Sequence, residues 1–388
     1  MSWEKVKLGD LYEVHNGLSK GGKFFGSGYP FLSFSTVFNN WFIPQNIKDL
    51  VQSTDKEQES YSIKKGDVFI TRTSETADEL GMSCVALKDY PQATYNGFCK
   101  RLRPIKSSYE VNPRYIGYYL RTSDFRGKFL GLSGTMTTRA SLRNEDLLAM
   151  EILLPPLKEQ KRIADILSAY DNLIENNQKQ IKLLEEAAQR LYKQWFIDLR
   201  FPGHETTPIV DGLPEGWRKG CVGNLIKKIE RTKQIEAKDY LLEGKIPVID
   251  QSRNFIAGYT DDLDSVVNES CPVIVFGDHT RILKYIQFPF AKGADGTQLI
   301  VSNTACMPQS LFYCSLVNVD LSNYHYARHF KYLKAEEIVV PDEQIAKKFD
   351  GVVSLLFNKI QTCRNQILFA QNSRDRLLPK LINGELEI

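Results

Sequence analysis

From Ile163 onward, side chains recur at alternating spacings of four and three: Ile163, Leu167, Tyr170, Ile174, Asn177, Ile181, Leu184, Ala188, Leu191 and Trp195. Only Asn177 among them is polar, and the pattern predicts one long helix with a heptad seam. A second run follows the same spacing through Phe349, Val353, Leu356, Ile360, Cys363, Ile367, Ala370, Arg374, Leu377 and Leu381. Each run starts just behind proline, in LLPPLKEQKRIADIL (153–167) and VVPDEQIAKKFDGVV (339–353), where proline is compatible with a helix beginning. Glu159, Asp342 and Glu343 place negative charge in the first turns, which favours the helix dipole. So narrow a seam needs a partner, and the nearest complementary stripe is the other helix. The expected pairing is antiparallel, closed by an approximate two-fold. Asn177 either fixes the register or sits solvated at the seam's edge, and the pattern leaves both readings open.

Ahead of each helix the period changes. DVFITRT, SCVAL and PVIVFG are short apolar runs broken by Gly, Asn and Ser, and they read as strands. PRYIGYYLRTSDFRGKFL (113–130) has helical spacing instead. The two halves repeat one order of motifs. Trp3 precedes LGDL as Trp217 precedes VGNL; YPFLSFS (29–35) matches IPVIDQS (246–252); GDVFITRT (66–73) matches CPVIVFGD (271–278). RNEDLLAMEILLPPLKEQ (143–160) then matches KAEEIVVPDEQ (334–344), and QIKLLEEAAQRLYKQW (180–195) matches QILFAQNSRDRLLPKL (366–381). The expected fold class is α+β: two similar mixed α/β globules separated by two long antiparallel helices that form an intramolecular coiled coil. The boundaries read as a globule at 1–155, a helix at 156–200, a Pro- and Gly-rich linker at 201–216, a globule at 217–341 and a helix at 342–388.

Composition adds limits. The 388 residues suit two or more domains, and no apolar run approaches the ~20 residues that cross a bilayer. MSWEKVKLGD lacks the layout of a signal peptide, and the seven cysteines are an odd number without a C-x-x-C pair. Both point to reduced thiols and a cytoplasmic protein. Net charge is only +3, but residues 99–143 carry ten basic side chains against Glu110 and Asp124. That excess predicts a basic face.

Catalytic motifs are missing. SKGGKFFGSGYP (19–30) has its glycines in the wrong order for a phosphate loop, and the five histidines include no H-E-x-x-H. LPPL (154–157) lacks the amide and aromatic of an adenine methyltransferase tetrapeptide, and PDEQIAKK (341–348) lacks the acidic-x-Lys of a nuclease. No cofactor or metal site is expected in this chain. Polar loops after strands are better candidates, because Arg can fork onto guanine and His or Asp can meet base edges. They offer Arg72, Thr73 and Ser74 in the first copy and Asp278, His279, Thr280 and Arg281 in the second. Arg139 and Arg143 precede the first helix; Arg328, His329 and Lys331 precede the second. A helix of about 40 residues reaches about 60 Å. Two similar reading heads on such a spacer suit a long, repetitive ligand, and double-stranded DNA is the obvious one.

Taken together, PPLKEQKRIADIL (155–167), its echo PDEQIA (341–346), the closing LLPKLINGELEI (377–388) and the module starts WEKVKLGDLYEV and EGWRKGCVGNLI resemble the specificity subunits of type I restriction–modification systems. The resemblance spans the whole chain in the order recognition domain, helical spacer, recognition domain, helical spacer. It implies a non-catalytic DNA-binding subunit whose two target recognition domains each read half of a bipartite, asymmetric site. It also implies two methyltransferase subunits docked through the helices and translocase–nuclease subunits completing a restriction endonuclease and adenine-N6 methyltransferase complex. S-adenosylmethionine, ATP and Mg would serve those partners, and no membrane is involved. The alternatives are a self-contained methyltransferase or nuclease, and a coiled-coil scaffold that binds only proteins.

Overall fold

A computed structural model of the chain describes residues 3–74, 80–133, 140–230, 232–270, 272–293, 296–324 and 328–386. It divides into two compact units, Met1–Ile174 with Leu368–Ile388, and Glu175–Ile367.

In the first unit, strand Glu4–Lys7 pairs antiparallel with Glu151–Leu154, Glu4 opposite Leu154. This clip holds the start of the globule beside the start of the first long helix. The main sheet is antiparallel, in the order Tyr12–Asn16, Cys99–Pro104, Val68–Thr71, Ser83–Val85. Its VFIT strand is wholly buried because alternate side chains serve two cores: Val68 and Ile70 enter one cluster and Phe69 another. A smaller sheet joins Leu50–Val51, Phe25–Leu32 and Thr94–Tyr95, with Phe31 and Leu32 parallel to Thr94 and Tyr95.

The second unit repeats the plan. Arg218–Cys221 pairs antiparallel with Glu337–Val340, Arg218 opposite Val340. Val273–Gly277 lies between Leu283–Ile286 and Thr297–Ile300, and its alternate side chains again divide between two cores, Ile274 and Phe276 against Val273 and Val275. Ile246–Ile249 runs parallel to Ala291–Lys292, as the Phe31–Leu32 stretch does to its neighbour. The motif pairs 29–35 with 246–252 and 66–73 with 271–278 therefore occupy equivalent strands. The duplication read from the sequence is a duplication of topology.

The long helices are Leu157–Tyr192 and Glu343–Ile382, and both are shared between the units. Their starts are built differently. Gln160 of the first is buried; its Nε2 donates to the carbonyls of Pro155 and Glu110 and its Oε1 accepts from the Asn112 amide. The second start uses an aspartate cap, with Asp342 Oδ1 accepting from the amides of Gln344 and Ile345 and Oδ2 accepting from Trp217 Nε1. Gln344 is exposed. The echo PDEQIA thus starts a helix at the same place in the fold by another device.

Within the second unit, Gln180 Oε1 lies 3.8 Å from Cys363 Sγ, while the Trp195 ring lies 5.6 Å from Phe349. Residue numbers rise along one helix as they fall along the other, so the pair is antiparallel. Ile163, Leu167, Ile174, Asn177, Ala188, Trp195, Phe349, Val353, Ile360, Cys363, Ala370 and Leu381 are buried, and Tyr170, Ile181, Leu184, Leu191, Leu356, Ile367, Arg374 and Leu377 half-buried. Burial of Asn177 to 1% exposure removes the solvated reading.

The seam does more than zip helix to helix. Ile163, Leu167, Leu377, Leu378, Leu381 and Ile382 also pack into the first globule's core, and Ala188, Tyr192, Trp195, Phe196, Phe349 and Val353 into the second's. A π-helical turn at Lys193–Ile197 turns Trp195 and Phe196 inward together. Residues 201–216, expected as a linker, fold into the second unit: Phe201 is buried 4.7 Å from the Trp217 ring, and Ile209–Val210 pairs with Leu213–Pro214. Among the described residues no helix is long and apolar enough to cross a membrane.

Among the described residues of the second unit, one lysine is buried. Lys284 is 4% exposed, donates to the Asn254 carbonyl at 2.5 Å and lies 3.8 Å from Asp250; burial lowers its pKa to about 8. The folded pKa lies below the unfolded one, so between them the unfolded chain holds more protons and stability rises with pH. Relative to Lys284→Met, wild type should gain about 2 kcal/mol between pH 7.5 and 10. Urea unfolding of both proteins across that range checks it.

Candidate nucleic-acid interface

The loops singled out in each copy meet at the end of the central strand. In the first unit the Arg72 amide donates to the Phe98 carbonyl at 3.0 Å, and its own carbonyl accepts from Leu142 at 3.1 Å. In the second, the Asp278 amide donates to the Gly296 carbonyl at 2.7 Å, and its carbonyl accepts from His329 at 2.9 Å. Arg72 and Asp278 therefore hold one structural position, as do Leu142 and His329. One backbone frame carries different side chains in the two copies.

In the first unit Arg72 is half-buried and its Nη1 lies 3.4 Å from Asn16 Oδ1. Thr73 and Ser74 form a short strand opposite Ser141 and Ala140. Arg143 is exposed and forked onto Asp146. Arg139 lies outside the described residues. The structure adds Lys100, which donates to Asn144 Oδ1, and exposed Phe98. Burial and then the neighbouring Arg72 charge lower the Lys100 pKa. Strand alternation in CKRLRP could have marked Lys100; Phe98 carried no signal in sequence.

In the second unit two candidates face inward. Asp278 Oδ1 accepts from the Phe330 amide at 2.8 Å and so caps helix His329–Ala335 from across the fold. His329 is buried, each ring nitrogen 2.9 Å from a backbone carbonyl oxygen, of Asp278 and of Tyr324. Their side chains are built into the frame. His279, Thr280, Arg281, Arg328 and Lys331 are exposed. Gln251 orders the tip: its Oε1 accepts from the His279 amide and its carbonyl from Thr280 Oγ1 at 2.7 Å. Arg281 takes positive φ and donates to the Leu321 carbonyl.

The basic face expected over 99–143 is largely spent on internal bonds. Arg101 donates to the Ser62 carbonyl, Arg103 is forked onto Asp67, and Lys128 donates to the Glu151 carbonyl. Arg121 donates to carbonyls of Ser83, Val37, Phe38 and Asn40, and burial pushes its pKa down to about 10. Irregular backbone leaves carbonyls without ladder partners, and long cations satisfy them. Counting charges could not separate these from solvent-facing ones.

Residues 1–186 match the family model described as the type I restriction modification DNA specificity domain. Across its whole length the chain is similar to the specificity subunits of type I restriction–modification systems. The MjaIX specificity subunit of Methanocaldococcus jannaschii is 26% identical over 417 residues, covering 100% of this chain and 94% of the relative. The EcoKI specificity subunit of Escherichia coli K12 is 26% identical over 200 residues, 48% of this chain and 42% of that one. The type I S subunit of M. genitalium has the same fold, with a TM-score of 0.61 at 16% identity over 98% of this chain and 96% of that one.

The different duties of equivalent loops separate experimentally. Asp278→Ala removes a helix cap and a buried acceptor, and should cost about 1–3 kcal/mol of stability. Lys331→Ala, on the exposed side of the same helix, should stay within about 0.5 kcal/mol. Chemical denaturation of the two variants checks both figures.

Proposed function

We propose that this chain is the sequence-reading subunit of a type I restriction–modification complex, each globule reading one half of a bipartite, asymmetric site in double-stranded DNA. The observation that carries the proposal is the shared frame at the central strand end, with Arg72 and Leu142 in one copy where Asp278 and His329 stand in the other. A duplicated frame with diverged tips suits two different half-sequences. The reading residues are then side chains around those tips: Arg72, Thr73, Ser74, Arg139 and Arg143 on one, His279, Thr280, Arg281, Arg328 and Lys331 on the other. Asp278 and His329 hold the second tip in shape.

The helical pair sets the separation of the half-sites and docks two methyltransferase subunits, and translocase–nuclease subunits complete the assembly. Methyl transfer from S-adenosylmethionine and Mg- and ATP-dependent steps belong to those partners. Modest net charge fits this division, because partners share the phosphate contacts.

Sequencing of DNA methylation in cells with and without this chain should reveal one bipartite mark that depends on it. Deleting four residues from within 163–195 removes roughly 6 Å of helix. At about 3.4 Å per base pair the gap between half-sites should shorten by about two base pairs, each half-sequence unchanged. An unaltered gap would defeat the ruler. Binding by the assembled complex should fall steeply with salt; a scaffold that binds only proteins would show no such dependence.

A further inference from the structure

Two arginines of the second long helix make matching three-way contacts, one in each unit. In the first unit, Arg374 Nη1 donates to Asp171 of the first long helix at 2.7 Å, and its guanidinium carbon lies 4.8 Å from the centre of the Trp41 ring. The contacts close into a loop, because the Tyr118 hydroxyl donates to the other Asp171 oxygen at 2.5 Å and the Tyr118 ring stands edge-on to Trp41 at 5.6 Å. In the second unit, Arg364 Nη2 donates to Glu185 of the first long helix at 3.3 Å, and its guanidinium carbon lies 3.8 Å from the centre of the Phe255 ring. Each arginine thus joins both helices and one globule at a single side chain. Their side chains are only 15% and 20% exposed.

Each aromatic ring in turn leads to a reading tip. The Trp41 carbonyl accepts from the Val85 amide, and Ser83–Val85 pairs with Val68–Thr71, the strand that leads into Arg72. Phe255 follows Asn254, whose carbonyl accepts from Lys284, and Leu283–Ile286 pairs with Val273–Gly277, the strand that leads into Asp278. An ion pair alone would tie helix to helix. Stacking a planar cation on a ring of the globule adds a directional contact, because attraction falls as the cation leaves the ring face.

We propose that Arg374 and Arg364 are positioning residues that fix the angle at which each recognition globule meets the helical pair, and so fix the spacing tolerance between the two half-sites. The proposal rests on the bipartite reading above. Removing a joint leaves each tip's own hydrogen bonds in place, so base preference within a half-site should survive while the gap between halves loosens.

The test is methylation sequencing in cells carrying the whole system with wild type, Arg374→Met, Trp41→Leu, Arg364→Met or Arg376→Met. Arg376 is exposed on the same helix and serves as the control. Wild type and Arg376→Met should mark one motif with one gap length. Arg374→Met and Arg364→Met should keep both half-sequences and mark sites whose gap differs by one base pair at least tenfold more often than wild type. Trp41→Leu leaves the Arg374–Asp171 pair intact and should loosen the gap in the same way, which keeps the test alive if an arginine variant fails to accumulate. Strict gap length in Trp41→Leu and in the arginine variants that accumulate, with or without a uniform loss of marking, would overturn the joints while leaving the bipartite reading standing. A wild-type chain that confers no bipartite mark would overturn that reading and this inference with it.

Discussion

Neither globule completes its hydrophobic core from its own segment of chain. The first is closed by Leu378, Leu381 and Ile382, which arrive from the far end of the second long helix. The second is closed by Tyr192, Trp195 and Phe196, from the far end of the first. The module-start tryptophans mark the same exchange: the backbone of Gly384, at positive φ, lies against the Trp3 ring, and Phe196 and Phe201 lie against Trp217. Truncating a buried aromatic in such a cluster costs about 3–5 kcal/mol against a domain stability of roughly 5–15. Antiparallel helix pairing is therefore a condition for both globules to fold as they do.

That condition explains which parts of the structure were legible. Heptad spacing follows from side-chain direction on a helix, so the seam from Ile163 to Trp195 and its repeat could be read directly. Repeated motif order gave the duplicated topology, because strands buried on both faces, such as VFIT and VIVFG, tolerate little besides apolar residues. The seam's second duty was not legible. A stripe that packs on a helix and one that packs on a globule have the same period, and only the π-turn at Lys193–Ile197 departs from it. Residues 201–216 misled for a related reason: Pro and Gly mark turns, and turns can belong to a packed hairpin as readily as to a free tether.

The candidate interface was legible in part. Loops after strands are exposed by default, and His279, Thr280 and Arg281 are. Asp278 and His329 have the same chemistry on paper, yet the fold uses them to cap a helix and to bridge carbonyls. Sequence states what a side chain can bond and leaves open which partner reaches it first. The cations of 99–143 are the clearest case, where unpaired backbone of an irregular globule takes up charge that a count assigns to the surface.

Divergence between the copies follows the same division of labour. Positions that close the cores or clip the globule to its helix keep their character: Leu8 and Val222 are both buried, and their amides donate to the carbonyls of Met150 and Glu336. At the strand end the backbone bonds persist while Arg72 gives way to Asp278 and Leu142 to His329. Main-chain hydrogen bonds are indifferent to side-chain identity, so a frame held by them lets the tip change without loss of shape. The helix starts show how far this goes, with Gln160 bridging two carbonyls in one copy and Asp342 capping two amides in the other. What selection must keep at these places is a satisfied backbone, and more than one residue satisfies it.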